Sequence, residues 1–294
     1  MVFTVPATSA NLGPGFDTLG LAIDLKNRVI IKKSKFLSIS LKGEGENNYR
    51  LKTNNKFVSI FYEIYQSLTG RRDNFRFEFQ NNIPLARGMG SSSAVIVSAI
   101  GSAYEMAGLK VPKEKILNKA LIYENHPDNI SPAVYGGFTV SIIDAEKVYV
   151  KKKELPSYLK AVMVIPNRAM STNLSRKALP KHYKMQDIVF NISHSSFLTA
   201  AFFSEDWESL RLASKDKIHQ KYRMQAMKEL FDVQRIALKN GALMSTLSGS
   251  GSSFFNLVYE DDAKRVKEAL KKAFPFFRIE IFNLDNSGFE VKKL

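Results

Sequence analysis

Between Ser91 and Ala107 the chain carries small and apolar residues on every side of a helical projection, closed by Gly108, and this stretch narrows the choice of fold more than any other. A helix with no polar face has to be covered on most sides. The spacing therefore predicts a central helix with other elements layered around it. The stretch is interrupted by Ser98, Gly101, Ser102 and Glu105, and it falls short of the ~20-residue apolar span of a membrane helix. With 294 residues and 45% hydrophobic content, the chain can build one large domain or two ordinary ones.

Other elements follow from periodicity. Strict alternation over Phe75–Gln80 predicts a half-buried strand, and Val29–Lys33 and Phe36–Leu41 carry weaker versions of it. Phe57, Phe61, Ile64, Tyr65 and Leu68 recur at helical spacing and stop at Gly70. After Pro112 a helix with Ile116, Leu117, Ala120 and Leu121 on one face is expected to deliver Glu124 at its end, followed by a loop over Asn125–Pro132 and a strand over Phe138–Ile142. The basic stretch Lys151–Tyr158 before the apolar run Ala161–Ile165 divides the chain into 1–155 and 156–294. Beyond it, helices are expected over Met185–Phe203, Asp206–Ala213 and Met224–Leu238. A strand, helix, strand arrangement then runs from Ala242 to Val291, with Asp261 or Asp262 capping its helix.

The absence of cysteine excludes disulfides, Cys-based zinc sites, iron–sulfur clusters and thiolate nucleophiles. Met1–Pro6 has no basic segment followed by a long apolar one, so a cytoplasmic location is expected. The net charge of +15 attracts polyanions. The lysine runs Lys151–Lys153 and Lys264–Lys272 read as solvated faces, and no helix-turn-helix, zinc-finger or RNP signature accompanies them.

Three glycine–serine clusters are candidate anion cradles: Asn11–Asp17, Gly88–Ser93 and Ser248–Ser253. The middle one precedes the central helix, so its backbone N–H groups and the helix amino terminus point at one anion. It is not a Walker A loop, because no Gly-Lys-Ser/Thr follows, and not a Rossmann fingerprint, because Ser93 stands at the third glycine position. Alone, such a cluster reads equally well as a tight turn capped by serines.

Taken together, Pro6–Asp17, Pro84–Ala94 and Ser248–Gly251 resemble, in order and spacing, the three signature motifs of the GHMP small-molecule kinases. Glu124-Asn125-His126-Pro127-Asp128-Asn129, Pro132–Gly137, Ser171-Thr172 with Arg176, and Tyr222-Arg223 are most similar to the homoserine kinase branch. Asn125 stands where glycine is commoner, and Ser252 where proline is often found. The resemblance implies an α+β fold with an amino-terminal domain like the second domain of ribosomal protein S5 and a carboxyl-terminal ferredoxin-like domain. ATP would lie between them. It also implies an ATP-dependent phosphotransferase with an alcohol acceptor, phosphorylating the side-chain hydroxyl of L-homoserine on the route to threonine, with Mg²⁺ as cofactor and a homodimer as the family-level assembly.

Residue by residue, the resemblance gives Pro84, Leu85, Ala86, Arg87, Gly88, Met89, Gly90, Ser91, Ser92, Ser93 and Ala94 to ATP, and Ser92 and Glu124 to the metal. Hard oxygen donors suit Mg²⁺, which keeps several waters. Arg176 and Arg223 become the carboxylate clamp, since guanidinium forks match carboxylates. Asn11, Asp17, His126, Asn129 and Thr172 become the other substrate contacts, and Glu124, Asn129 and Asp17 the catalytic set. Asp17 and Asp128 are the candidates for a base, while transfer of the proton to the phosphate itself needs none. The Asn54–Phe57 region is the expected neighbour of adenine. Two rivals stay open: a mevalonate-pathway kinase, whose substrate has a carboxylate but no ammonium, and a binding protein that keeps the fold as a sensor or nucleic-acid partner.

Overall fold

The computed structural model describes residues 1–293. The first part of the chain runs β1 (Val2–Ala10), β2 (Leu19–Lys33), β3 (Ser38–Gly43), α1 (Tyr49–Thr53), α2 (Lys56–Thr69), β4 (Phe75–Asn81), α3 (Ser91–Met106), α4 (Lys113–Ala120), α5 (Pro127–Tyr135), β5 (Phe138–Asp144) and β6 (Lys147–Lys153). The second runs β7 (Leu159–Ile165), α6 (Thr172–Lys177), α7 (Met185–Ser204), α8 (Leu210–Ala213), α9 (Gln220–Met224), α10 (Glu229–Lys239), β8 (Met244–Leu247), β9 (Phe254–Tyr259), α11 (Glu260–Ala273), β10 (Arg278–Phe282) and β11 (Glu290–Lys292).

The first sheet has the order β11-β1-β2-β4-β3, with β5 pairing β2 and β6 pairing β5. Its long strand β2 serves three partners, β1 along one edge and β5 and β4 along the other. Residues Leu19–Leu21 pair with β5 and residues Arg28–Lys33 with β4. Between them the register against β1 shifts at Pro6/Ala7, where proline has no N–H for the ladder. The freed backbone takes in residues 283–285: the Asp24 N–H donates to the Asn283 carbonyl at 2.9 Å, and Ile23 bridges Leu284.

The alternating strand β4 buries Phe75, Phe77 and Phe79, whose rings meet Phe57, Phe61 and Tyr65 of α2 edge-on at 5.0–5.2 Å. Such pairs add to plain area burial. Against this layer lies α3, with Ile96, Val97, Ile100 and Ala103 wholly buried, as its lack of a polar face requires.

The second sheet has the order β10-β7-β9-β8, every neighbour antiparallel. Numbered by strand that is 4-1-3-2, the ferredoxin-like arrangement expected from the motifs. Val162, Val164, Phe254 and Val258 on one face pack against Leu230, Val233 and Ala237 of α10 and Val266 and Leu270 of α11. Met163, Phe255 and Leu257 on the other face join the core that includes Leu198 and Phe202 of α7 and continues to the first sheet. No helix among the described residues is long and apolar enough to cross a membrane.

Several local expectations are corrected. The expected loop over Asn125–Pro132 is mostly helix α5. Pro127 occupies its first position, where a missing N–H costs nothing. Pro132 leaves the Asp128 carbonyl without a helical donor, and that carbonyl packs onto Gly20, where a Cβ would lie 1.8 Å from it. Glu124 lies in a turn four residues past the end of α4, its N–H donating to the Ala120 carbonyl at 3.0 Å. The helical pattern at Asp206–Ala213 yields helix only over Leu210–Ala213. Met224–Leu238 is split between α9 and α10. Neither Asp261 nor Asp262 caps α11: both sit in its first turn after Tyr259, where negative charge suits the helix dipole.

Candidate active site

A cleft of about 440 Å³ opens where the three glycine–serine clusters meet, and every catalytic, phosphate, substrate and metal residue expected from the sequence lines it except Ala94, which is buried behind the loop; of the expected adenine neighbours Asn54–Phe57 only Lys56 does. Met89 lines it while being almost wholly buried. A wider groove of about 970 Å³ along Gly43–Arg50 and Arg278 holds none of the motif residues.

The middle cluster forms the floor. Gly90 precedes α3 in a left-handed conformation, φ +68°, with no side-chain cap on the helix, so the N–H groups of Ser91, Ser92 and Ser93 have no intrahelical acceptor. A Cβ on Gly90 would lie 1.9 Å from Thr8 Oγ1. That hydroxyl donates to Asn129 Oδ1 at 2.8 Å, and the Thr8 N–H donates to the Met89 carbonyl at 3.2 Å. The Arg87 guanidinium is engaged by the carbonyls of Pro166 and Leu85, each at 3.0 Å, and ties the loop to the second sheet rather than pointing at the cleft's centre.

At one end of the floor Ser93 Oγ donates to Glu124 Oε1 at 2.8 Å, while Glu124 Oε2 is buried without a partner. Burial, eased by the Ser93 hydroxyl, raises the Glu124 carboxyl above its ordinary range. Ser92 Oγ lies 3.3 Å from Lys56 Nζ. Lys56 was foreseen only as part of an adenine-neighbouring stretch. The helix opened by the Asn55 cap carries it into the cleft, whereas Phe57 turns into the aromatic core. Among the described residues no cluster of three or more His, Cys, Asp or Glu side chains could hold a metal. A lone carboxylate with an orphaned oxygen, flanked by two serines, fits a hard dication that keeps its waters.

At the other end stand the first motif and two arginines. Asn11, Leu12 and Asp17 all take positive φ, strain that a site can hold only when neighbours over-determine it. Asn11 Oδ1 accepts the Asp17 N–H at 3.0 Å, and Asn11 Nδ2 donates to the Gly249 carbonyl at 3.1 Å. Asp17 Oδ1 receives Arg176 Nη2 at 2.6 Å. Arg223 is 3% exposed and donates through Nη1 to the Gly249 carbonyl at 2.9 Å. Both guanidinium carbons lie over the Phe16 ring, Arg176 at 5.2 Å and Arg223 at 5.0 Å from its centroid. The Nε atoms of both arginines are buried without partners.

Burial first, and then Arg176, pulls the Arg223 guanidinium down to about 10. Beside it Asp128 is pushed up to about 7 by complete burial, reinforced by Asp17 and Glu124. Thr172 Oγ1 meets Ser250 Oγ at 3.4 Å, closing one side of the cleft, and His126 stands at the N-cap position of α5 at the rim, with no side-chain hydrogen bond to the helix. The sequence reading did not single out Asn191, whose Nδ2 donates to the Pro14 carbonyl and to Asp216 Oδ1, both at 3.1 Å. It also missed His219, 2.7 Å from the Gly13 carbonyl through Nε2.

Comparison with known proteins agrees with this geometry. Residues 55–137 match the model of the GHMP kinases N terminal domain, and residues 198–275 that of the GHMP kinases C terminal domain. The chain is 62% identical over 293 residues to a homoserine kinase of Nitratiruptor sp., covering 100% of both. It superposes on the crystal structure of homoserine kinase from Cytophaga hutchinsonii with a TM-score of 0.88 at 27% identity, covering 99% of this chain and 96% of that one. The L. major mevalonate kinase structure, at 16% identity and TM-score 0.73, covering 97% of this chain and 95% of that one, shares the fold. This chain belongs to the GHMP kinase family, within its homoserine kinase branch.

Proposed function

We propose that this chain transfers the γ-phosphoryl group of ATP to the side-chain hydroxyl of L-homoserine, giving O-phospho-L-homoserine and ADP. The observation that carries this reading is the pairing, at one end of the cleft, of two buried unpartnered arginine Nε groups with the carboxylates of Asp17 and Asp128. A zwitterion offers a carboxylate to the first and an ammonium to the second. Mevalonate offers only the carboxylate, so it would bring no cation to Asp128 or to the Asp17 oxygen that Arg176 does not hold.

Phosphoryl transfer asks for positioning and charge neutralisation more than covalent chemistry. The N–H groups of Ser91–Ser93 and the amino terminus of α3 hold the nucleotide phosphates, with the Lys56 ammonium beside them. Glu124 with Ser92 or Ser93 would hold Mg²⁺, which supplies neutralisation of the triphosphate charge. Arg223 and Arg176 take the acceptor's carboxylate, and Asn129, fixed by Thr8, orients the attacking hydroxyl. The bond from that oxygen to the γ-phosphorus forms as the bridging bond to the β-phosphate breaks. Asp17 is held by Arg176 and Asp128 is given to the acceptor's ammonium, so the hydroxyl proton is assigned to the transferring phosphoryl oxygens rather than to a side-chain base.

Mg²⁺-dependent ADP release should be fastest with L-homoserine when L-serine, L-threonine and mevalonate are offered as alternatives. Equal or faster turnover on mevalonate would move the reading to another branch of the family, and ATP binding without turnover on any acceptor would overturn it. The cradle has its own test. Gly90→Val, which drives a Cβ into Thr8 at an unfavourable φ, is expected to weaken nucleotide binding at least about tenfold and lower Tm by several degrees. Calorimetric titration with an unreactive ATP analogue and a thermal scan read these two effects.

A further inference from the structure

His219 is wholly buried, belongs to none of the groups assigned above, and touches both the first motif and the arginine clamp. Its Nε2 lies 2.7 Å from the Gly13 carbonyl oxygen, and its Nδ1 lies 3.4 Å from Arg223 Nη1. A carbonyl can only accept and a guanidinium can only donate. The two ends of the ring therefore demand the same state: neutral, with the proton on Nε2 and the lone pair of Nδ1 facing Arg223.

We propose that His219 is a positioning residue that holds Arg223 in the orientation that receives the acceptor's carboxylate, an inference that rests on the acceptor reading above. With the Gly249 carbonyl and His219 both on Nη1, the other terminal nitrogen is left for the ligand, and the buried Nε is the atom without a partner. The Phe16 ring, 5.2 Å from the imidazole and 5.0 Å from the guanidinium carbon, closes the remaining side. The His219 backbone is itself fixed, because Asp216 accepts the N–H groups of Ile218, His219 and Gln220 at 3.0, 3.0 and 2.7 Å. An arginine side chain gives up considerable rotamer freedom when it binds. Holding it beforehand removes that cost from the binding step.

The test is a pair of variants read by steady-state kinetics with both substrates varied. His219→Leu fills the space with no lone pair and should raise KM for L-homoserine at least about tenfold, with KM for ATP and kcat within about twofold. His219→Gln keeps one donor and one acceptor and should return KM for L-homoserine to within about threefold of wild type. An unchanged KM for L-homoserine in the leucine variant overturns the proposal, and so does a parallel loss in kcat and both KM values that glutamine fails to rescue. If the leucine variant does not fold, ¹⁵N spectra of the histidine-labelled wild-type enzyme decide. The proposal requires a neutral Nε2–H ring whose Nδ1 resonance moves on titration with L-homoserine. An Nδ1–H ring, an imidazolium at neutral pH, or no response to L-homoserine overturns it. If the wild-type enzyme instead prefers a different carboxylate-bearing acceptor, the acceptor reading fails while the His219 effect persists in the KM for that acceptor.

Discussion

Glu124→Gln is expected to lower kcat on the order of 10³-fold, since losing a ligand to the phosphate-bound cation removes several kcal/mol of transition-state stabilisation, and at the same time to raise Tm. The second effect follows from the orphaned Oε2. Burial holds the Glu124 carboxyl above its ordinary value of 4.5, so the folded protein without its cation pays for keeping this group charged. Below about pH 4.5 the glutamate is protonated whether folded or unfolded, and the two proteins should melt alike. As pH rises through the folded value the wild type loses stability relative to the variant, and the gap opens. The substitution also removes one of the like charges that hold Asp128 near 7, which widens the gap further. Thermal scans at acid, neutral and mildly alkaline pH, with kcat measured in saturating Mg²⁺, check both halves. Wild-type turnover in the variant would remove Glu124 from the catalytic machinery.

Arg223→Ala is expected to raise KM for L-homoserine at least about 30-fold with little change in KM for ATP, because truncating one partner of a buried charge pair costs about 2–5 kcal/mol. Arg176→Ala should cost less. Its side chain is 29% exposed and already paired with Asp17 at 2.6 Å, so its loss leaves a half-exposed carboxylate to water. The order of the two effects in isothermal titrations with L-homoserine is the check, and a larger loss for Arg176 would reverse the assignment of the main anchor.

What could be read in advance was what the local chain dictates. The alternation of β4, the helical spacing of α2 and the all-round small residues of α3 each force one conformation whatever surrounds them. The glycine loop was legible because a left-handed turn before a helix asks for glycine at a position such as Gly90. Helix α5 was hidden by Pro127 and Pro132, which break helices in general and here sit where one needs no N–H and the other's orphaned carbonyl lies on Gly20. The split between α9 and α10 was hidden because Met224, Met227, Leu230 and Val233 look periodic. Their spacing of three suits the tighter turns seen there, with the Met227 N–H bonded to the Met224 carbonyl and the Leu230 N–H to that of Met227. His219 left one faint signal, its place one helical turn before Arg223. Lys56 left none beyond standing first in a helix.

The short strand β11 gives the molecule an order of assembly. It pairs with β1 through Val2, Phe3 and Thr4, and Phe289 just before it stacks on Phe3 and covers Gly101 in the middle of α3. Strand β1 thus finds one of its two neighbours only after residues 290–292 have been made. During synthesis, at roughly 5–20 residues per second, the first sheet must wait with one edge unpaired while the whole second sheet emerges. Residues 289–292 latch the edge of the layer that β1 opens, so a nascent chain halted just after β10 would carry every catalytic group and still lack its clasp.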